Sequence, residues 1–286
     1  RSKIEKAQKG EEVKIAYLGG SITEGVGKDN TCYAKRSYDY FADTFGTGDN
    51  VKYINKGLTP KEAAYAALIE GMDKSLGDLM DWLDKNGEAD NTIVIFMSDN
   101  GGLSSEPEWR DGKLHTQNSP LNSGKGSAYE GGVREPMIVR WPGVVKPDTK
   151  CDKYLIIEDF YPTILEMAQI KHYKTVQPID GISFMPLLTH TGDPSKGRSL
   201  HWNFPNHWGN DGPGIGPTCT VRKGDWKLIY YYDSGKKELF NIPEDIGEKN
   251  DLAALHPDIV KSLSKELGDY LRKVGGQRPS FKATGK

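Results

Sequence analysis

A chain of 286 residues with 36% hydrophobic and 27% charged side chains can bury a full core, as one large domain or two small ones. That composition excludes a disordered polymer. A net charge of -2 gives no basis for binding nucleic acid or an acidic membrane, and no apolar run approaches the roughly 20 residues that span a bilayer. Arg1 opens the chain with no apolar leader behind it, as expected of a processed form or a fragment, so the compartment is not legible. Cys32, Cys151 and Cys219 lie far apart, match no paired zinc spacing and read as ordinary thiols.

Val13 to Leu18 is a short apolar run ending in Gly19-Gly20-Ser21, which predicts a buried strand entering a tight loop. A helical stretch from Cys32 to Phe45 and a second strand over Val51 to Ile54 complete a β-α-β unit. Thr59, Pro60 and Glu62 form a helix start with a capping box. Behind it Tyr65, Ile69, Met72, Leu76, Leu79 and Leu83 recur at steps of three and four, which predicts one buried face that ends at Asn86-Gly87. Thr92 to Met97 reads as a strand covered on both sides and runs into Ser98-Asp99-Asn100-Gly101-Gly102. Loops at such strand ends form the ligand crevice of open α/β sheets, so chemistry is expected there.

Further on, Pro136 to Trp141 predicts a strand and Glu158 to Ile170 a helix, while Gln177 to Gly216 is rich in Pro, Gly and His and reads mostly as loop. Asp225 to Tyr232 and Lys237 to Ile242 flank Asp233-Ser234-Gly235 as a β-hairpin. After His256-Pro257 a last helix carries Val260, Leu263, Leu267, Tyr270 and Val274 on one face.

The segments YAALIEGMDKSLGDLMDWLDKNG, NTIVIFMSDNGG and SGKGSAYEGGVREPMIVRWPG, followed by DFYPTILEMA, DGISFMPLL and VRKGDWKLIYYY, resemble the C-terminal half of the type I sulfatases in the same order. The resemblance covers about residues 60 to 275. It implies an α/β fold: the parallel sheet core of the alkaline-phosphatase-like sulfatases, incomplete here, with a small antiparallel sheet and a terminal helix. It also implies hydrolysis of sulfate esters, of a sulfated glycan or an aryl sulfate, with Ca²⁺. A hard cation serves as Lewis acid for an anionic ester and takes carboxylate and amide oxygens. By the resemblance Asp99 and Asn100 are metal ligands, half of the full cage, and Lys125 is the lysine on the sulfate. An ammonium flanked by glycines can approach an anion closely. His201 and His207, in LHWNFPNHW, stand where relatives bring histidines to the substrate.

A complete sulfatase would open with a strand ending in Asp-Asp, followed by the cysteine motif that becomes formylglycine. Instead, Gly19-Gly20-Ser21-Ile22-Thr23-Glu24-Gly25 resembles the nucleophile block of SGNH (GDSL-like) hydrolases, many of them carbohydrate esterases, with Ser21 as nucleophile. Cys32-Tyr33-Ala34-Lys35-Arg36 satisfies the minimal Cys-x-Ala-x-Arg core of the modification site. The Thr-Gly pair that continues the motif is replaced by Phe41 and Ala42, so the sequence does not support Cys32 as a formylglycine precursor. Nor does any of the six histidines follow an aspartate by three positions, so the late Asp-x-x-His base of the esterases is missing.

The expected organisation is therefore an SGNH-like segment over 1–58, a sulfatase-like α/β portion over 59–195 and a C-terminal subdomain over 196–286. The expected origin is a chimera joined near Leu58-Thr59. Loss of a nucleophile or base costs about 10⁴- to 10⁶-fold in kcat, so little turnover is expected of this chain. Three readings follow: a Ca²⁺-dependent glycan sulfatase, an esterase built on Ser21, and a non-catalytic module that binds sulfated glycans.

Overall fold

The structure, a computed structural model, describes residues 13–17, 51–55, 60–104, 116–170, 172–207 and 212–279. The chain divides into two compact units, Arg1–Glu88 and Ala89–Lys286. In the first unit β1 (Val13–Tyr17) pairs in parallel with β2 (Val51–Asn55), the pairing expected of the β-α-β reading. The intervening helix and the Thr59 cap lie outside the described residues. Helix α1 (Pro60–Lys85) then runs to a turn in which Gly87 takes φ 71°. A left-handed residue without a Cβ is how helices commonly stop. The predicted stripe is only partly covered: Leu83 is buried, but Ile69, Met72 and Leu79 are exposed. Periodicity decides which residues share a face, whereas burial takes a second layer set against that face.

The second unit opens with β3 (Val94–Met97), which pairs with β4 (Met137–Arg140). This pairing is antiparallel, with Val94 opposite Arg140 and Met97 opposite Met137. The parallel arrangement expected of the core therefore holds for β1 and β2 and not for this pair. Parallel neighbours need a crossover, usually a helix of several turns. Among the described residues, the segment between β3 and β4 offers only the one-turn helix α2 (Glu130–Val133). Helix α3 (Phe160–Met167) follows a 3₁₀ turn at Ile157–Asp159 and is shorter than predicted.

Asp159 is fully buried behind that turn. It accepts the backbone N–H groups of Ile156 and Ile182 and takes both arms of the Arg198 guanidinium at 2.7 Å each. The 177–216 stretch, expected to be mostly loop, holds the short helix α4 (Met185–Leu188) and strand β5 (Ser199–Phe204). Leu200, Trp202 and Phe204 alternate along β5, a period of two that the surrounding Pro, Gly and His obscured.

The end of the chain is a four-stranded antiparallel sheet, β5–β6–β7–β8, with β6 Thr218–Lys223, β7 Trp226–Tyr231 and β8 Lys237–Asn241. Helix α5 (Pro257–Lys273) covers one face. There Cys219, Val221, Leu228 and Leu239 pack with Leu263, Leu267 and Leu271. On the other face Ile229, Phe240 and Ile242 pack on Tyr129, from the segment leading into α2. The predicted hairpin and terminal helix are both present. Of the face expected on α5, Leu263 and Leu267 are buried and Val274 is exposed. Among the described residues Cys151 is exposed, Cys219 is buried, and both are free thiols. No helix among the described residues is long and apolar enough to cross a membrane.

Candidate functional site

Strand β3 delivers the Ser98–Gly102 loop, with Asp99 exposed and Asn100 half-buried. The Ser98 hydroxyl donates to the Asn100 carbonyl at 3.0 Å. Beside this loop stands Glu135, just ahead of β4, whose Oε1 is buried without a hydrogen-bond partner. Burial, and after it the charge of Asp99, push the Glu135 carboxyl up to about 7. A carboxyl with one buried oxygen left unpaired, whose ionisation burial and Asp99 disfavour, is one that a nearby cation would stabilise in its charged form. The donors here are oxygens of carboxylate and amide, the set a hard cation such as Ca²⁺ accepts. Among the described residues, no group of three or more His, Cys, Asp or Glu side chains is arranged to hold a metal.

A second loop, Asn118–Ser127, brings up Lys125, whose side chain is exposed. Its backbone N–H donates to the Gly102 carbonyl at 3.0 Å, so the two loops lie edge to edge. Glycine makes this approach possible. A Cβ on Gly124 would lie 2.0 Å from the Gly102 carbonyl oxygen, and one on Gly101 would lie 1.7 Å from that of Gly131. Neither position admits a side chain without moving backbone. Ser123, which bears a side chain, nevertheless takes φ 59°. The structure thus places Asp99, Asn100 and Lys125, named together by the family resemblance, on two hydrogen-bonded loops.

Behind the second loop lies a buried ionic cluster that sequence reasoning missed. Glu130, at the start of α2, meets Lys227 of β7 at 3.0 Å and Arg222 of β6 at 3.2 Å. Lys227 also pairs with Glu248 at 2.9 Å, and the Glu248 carboxylate accepts the Glu130 N–H. Burial alone would raise the Glu130 carboxyl, but Lys227 and Arg222 hold it below the usual carboxylate range. For Glu248 burial prevails over Lys227, and its carboxyl is raised. Lys227 and Arg222 were legible only as members of the VRKGDWKLIYYY motif, since nothing in a strand's own sequence says which residue of another element will neutralise it.

The two histidines take other positions. His201 stands opposite Val221, on the α5 face of the sheet, and stacks on Tyr270 with centroids 3.9 Å apart. Trp202, its neighbour, points to the opposite face, because successive side chains of a strand alternate. His201 Nε2 is buried without a partner, and burial lowers the imidazole pKa. His207 is exposed, with Nε2 3.4 Å from Asp233 Oδ2 on the hairpin turn. Neither pairing involves the Asp99 or Lys125 loops. Ser21 and Cys32 lie outside the described residues.

Residues 27–170 match the profile of the family described as Sulfatase, and residues 124–274 match that of N-sulphoglucosamine sulphohydrolase, C-terminal. The first match opens inside the segment expected to resemble an SGNH hydrolase, well before residue 60, and takes in Cys32. A sulfatase of Formosa agariphila is 34% identical over 241 residues, 76% of this chain and 41% of its own length. The N-acetylgalactosamine-6-O-sulfatase of Bacteroides thetaiotaomicron is 29% identical over 219 residues, 70% of this chain and 40% of its own. Among solved structures, Ps i-CgsB in complex with k-i-k-neocarrahexaose superposes with a TM-score of 0.64 at 23% identity, over 88% of this chain and 56% of that one, a likeness of fold. The chain spans less than half the length of these two curated relatives. The profile match and the order of the motifs together assign the chain to the sulfatase family.

Proposed function

We propose that this chain carries the C-terminal share of a glycan sulfatase site, in which Asp99 and Asn100 hold Ca²⁺ and Lys125 contacts the sulfate ester. The observation that carries the reading is the backbone hydrogen bond from Lys125 to Gly102, which joins the loop of the oxygen donors to the loop of the ammonium. Two needs of a sulfate ester would then be met side by side. A cation draws on its oxygens as a Lewis acid, and an ammonium supplies a point charge and three donors. A glycan is the substrate class because the similar Bacteroides protein is a sulfatase of N-acetylgalactosamine. Formylglycine is the family's nucleophile. Cys32, which the family match includes, has the minimal core of that motif but Phe41 and Ala42 in place of its Thr-Gly continuation.

Lys125 on its glycine-lined loop would equally serve a module that binds a sulfated glycan without turning it over. Calorimetric titration of Ca²⁺ into the chain, with Asp99→Ala as control, is the first test. Saturable binding that is lost in the variant supports the cation seat, and absence of binding by the unaltered chain rejects it. Hydrolysis of an aryl sulfate, lost in Lys125→Ala, then separates the enzyme from the binding module.

A further inference from the structure

We propose that Asn118 is a positioning residue that sets the spacing between the cation loop and the sulfate loop. The inference rests on the reading of Asp99, Asn100 and Lys125 just given. The Asn118 amide makes three hydrogen bonds, with both of its N–H donors engaged. Its Oδ1 accepts the Gly102 N–H at 2.9 Å, and its Nδ2 donates to the Gly102 carbonyl at 2.9 Å and to the Ser123 carbonyl at 2.8 Å. Toward Gly102 the side chain acts as a neighbouring strand would, offering one acceptor and one donor to the same residue.

Gly102 stands two residues after Asn100, and Ser123 two residues before Lys125. A single side chain therefore holds the backbone close behind the proposed metal ligands and close before the proposed anion ligand. The Gly102 carbonyl also accepts the Lys125 N–H, and the hydroxyls of Ser104 and Ser123 lie 3.2 Å apart, so the junction is closed from two sides. Ser123 keeps its left-handed conformation, φ 59°, at the point where Asn118 grips it. An aspartate of the same shape keeps the acceptor for Gly102 but loses both donors and sets a carboxylate against two carbonyls. Movement in either loop would then change the distance between cation and ammonium, on which binding of one sulfate by both depends.

The test uses Asn118→Asp and Asn118→Ala in the full chain, the isosteric variant guarding against a failure of Asn118→Ala to fold. Amide hydrogen exchange is followed in peptides over 99–104 and 121–126, with β6 and β7 as reference. The expected result is exchange about tenfold faster in both loops with β6 and β7 unchanged. Unchanged loop exchange in a folded variant overturns the proposal. Ca²⁺ and inorganic sulfate are then titrated alone and together. In the unaltered chain each tightens the other by about fivefold or more. In Asn118→Asp the separate affinities hold to within about twofold while the coupling is lost. Coupling that persists in the variant overturns the proposal, as does a uniform loss of stability and both affinities, which marks a merely structural residue. An unaltered chain that binds neither ligand refutes the functional reading and with it the coupling, while the exchange rates still decide whether Asn118 joins the loops.

Discussion

Lys227 on β7 reaches Glu130, the first residue of α2, with Nζ 3.0 Å from Oε1 and neither side chain open to solvent. One ammonium thereby ties the C-terminal sheet to the segment that follows the Lys125 loop, and it serves Glu248 as well. Removing one partner of a buried ion pair leaves an uncompensated charge, which costs far more than the pair itself contributes. Lys227→Met is expected to destabilise the chain by about 3–5 kcal/mol in urea unfolding. A loss under about 1 kcal/mol would falsify the view that both carboxylates depend on it.

Glu130 also gives the cluster a pH dependence. Its folded pKa is depressed despite burial, because Lys227 and Arg222 outweigh desolvation. The stability it contributes is therefore present above its unfolded value and lost as pH falls through the folded value. Glu130→Gln is expected to be less stable at neutral pH yet to lose less on acidification, measured as unfolding midpoints along a pH series. A variant with the parent's acid slope would show that Glu130 is not a source of the acid sensitivity.

His201 has the opposite chemistry with the same sign. Burial lowers its pKa from 6.5, with Glu266 opposing and Lys223 reinforcing. A base with a depressed folded pKa contributes no loss above the unfolded value and costs stability as pH falls below it. His201→Phe keeps a ring against Tyr270 and should flatten the stability profile between about pH 7 and pH 5. An unchanged profile would mean that the ring is protonated as readily in place as in the unfolded chain.

Glu135 offers a second test of the proposed cation seat. If its buried oxygen belongs to the field that holds Ca²⁺, Glu135→Gln should weaken Ca²⁺ binding by about tenfold or more while leaving the fold intact. Calorimetry beside Asp99→Ala checks this. Equal affinity would confine the seat to Asp99 and Asn100.

Arg198 is expected to resist even a conservative change. Its guanidinium grips both oxygens of the fully buried Asp159. Lysine keeps the charge but not the fork, so Arg198→Lys should cost about 1–3 kcal/mol in thermal or urea unfolding. A neutral outcome would mean that a single ammonium contact satisfies Asp159.

Much of this protein was legible in the order of its residues. Strand β3, the 226–241 hairpin and helix α5 follow from hydrophobic period and turn chemistry, which act over a few residues and need no partner. The candidate residues Asp99, Asn100 and Lys125 were legible as family motifs, and residues 27–170 place the chain in that family. What the linear pattern could not carry is pairing across distance. It did not show that β3 and β4 run antiparallel, that His201 lies under α5 while Trp202 faces the other way, or that Lys227 meets Glu130 and Glu248. Nor did it reveal that Asn118, in a stretch without periodicity, bridges the backbones of Gly102 and Ser123. Local propensity depends on a residue and its chain neighbours, whereas these relationships depend on which surfaces the folded chain brings together, and only the tertiary structure decides that.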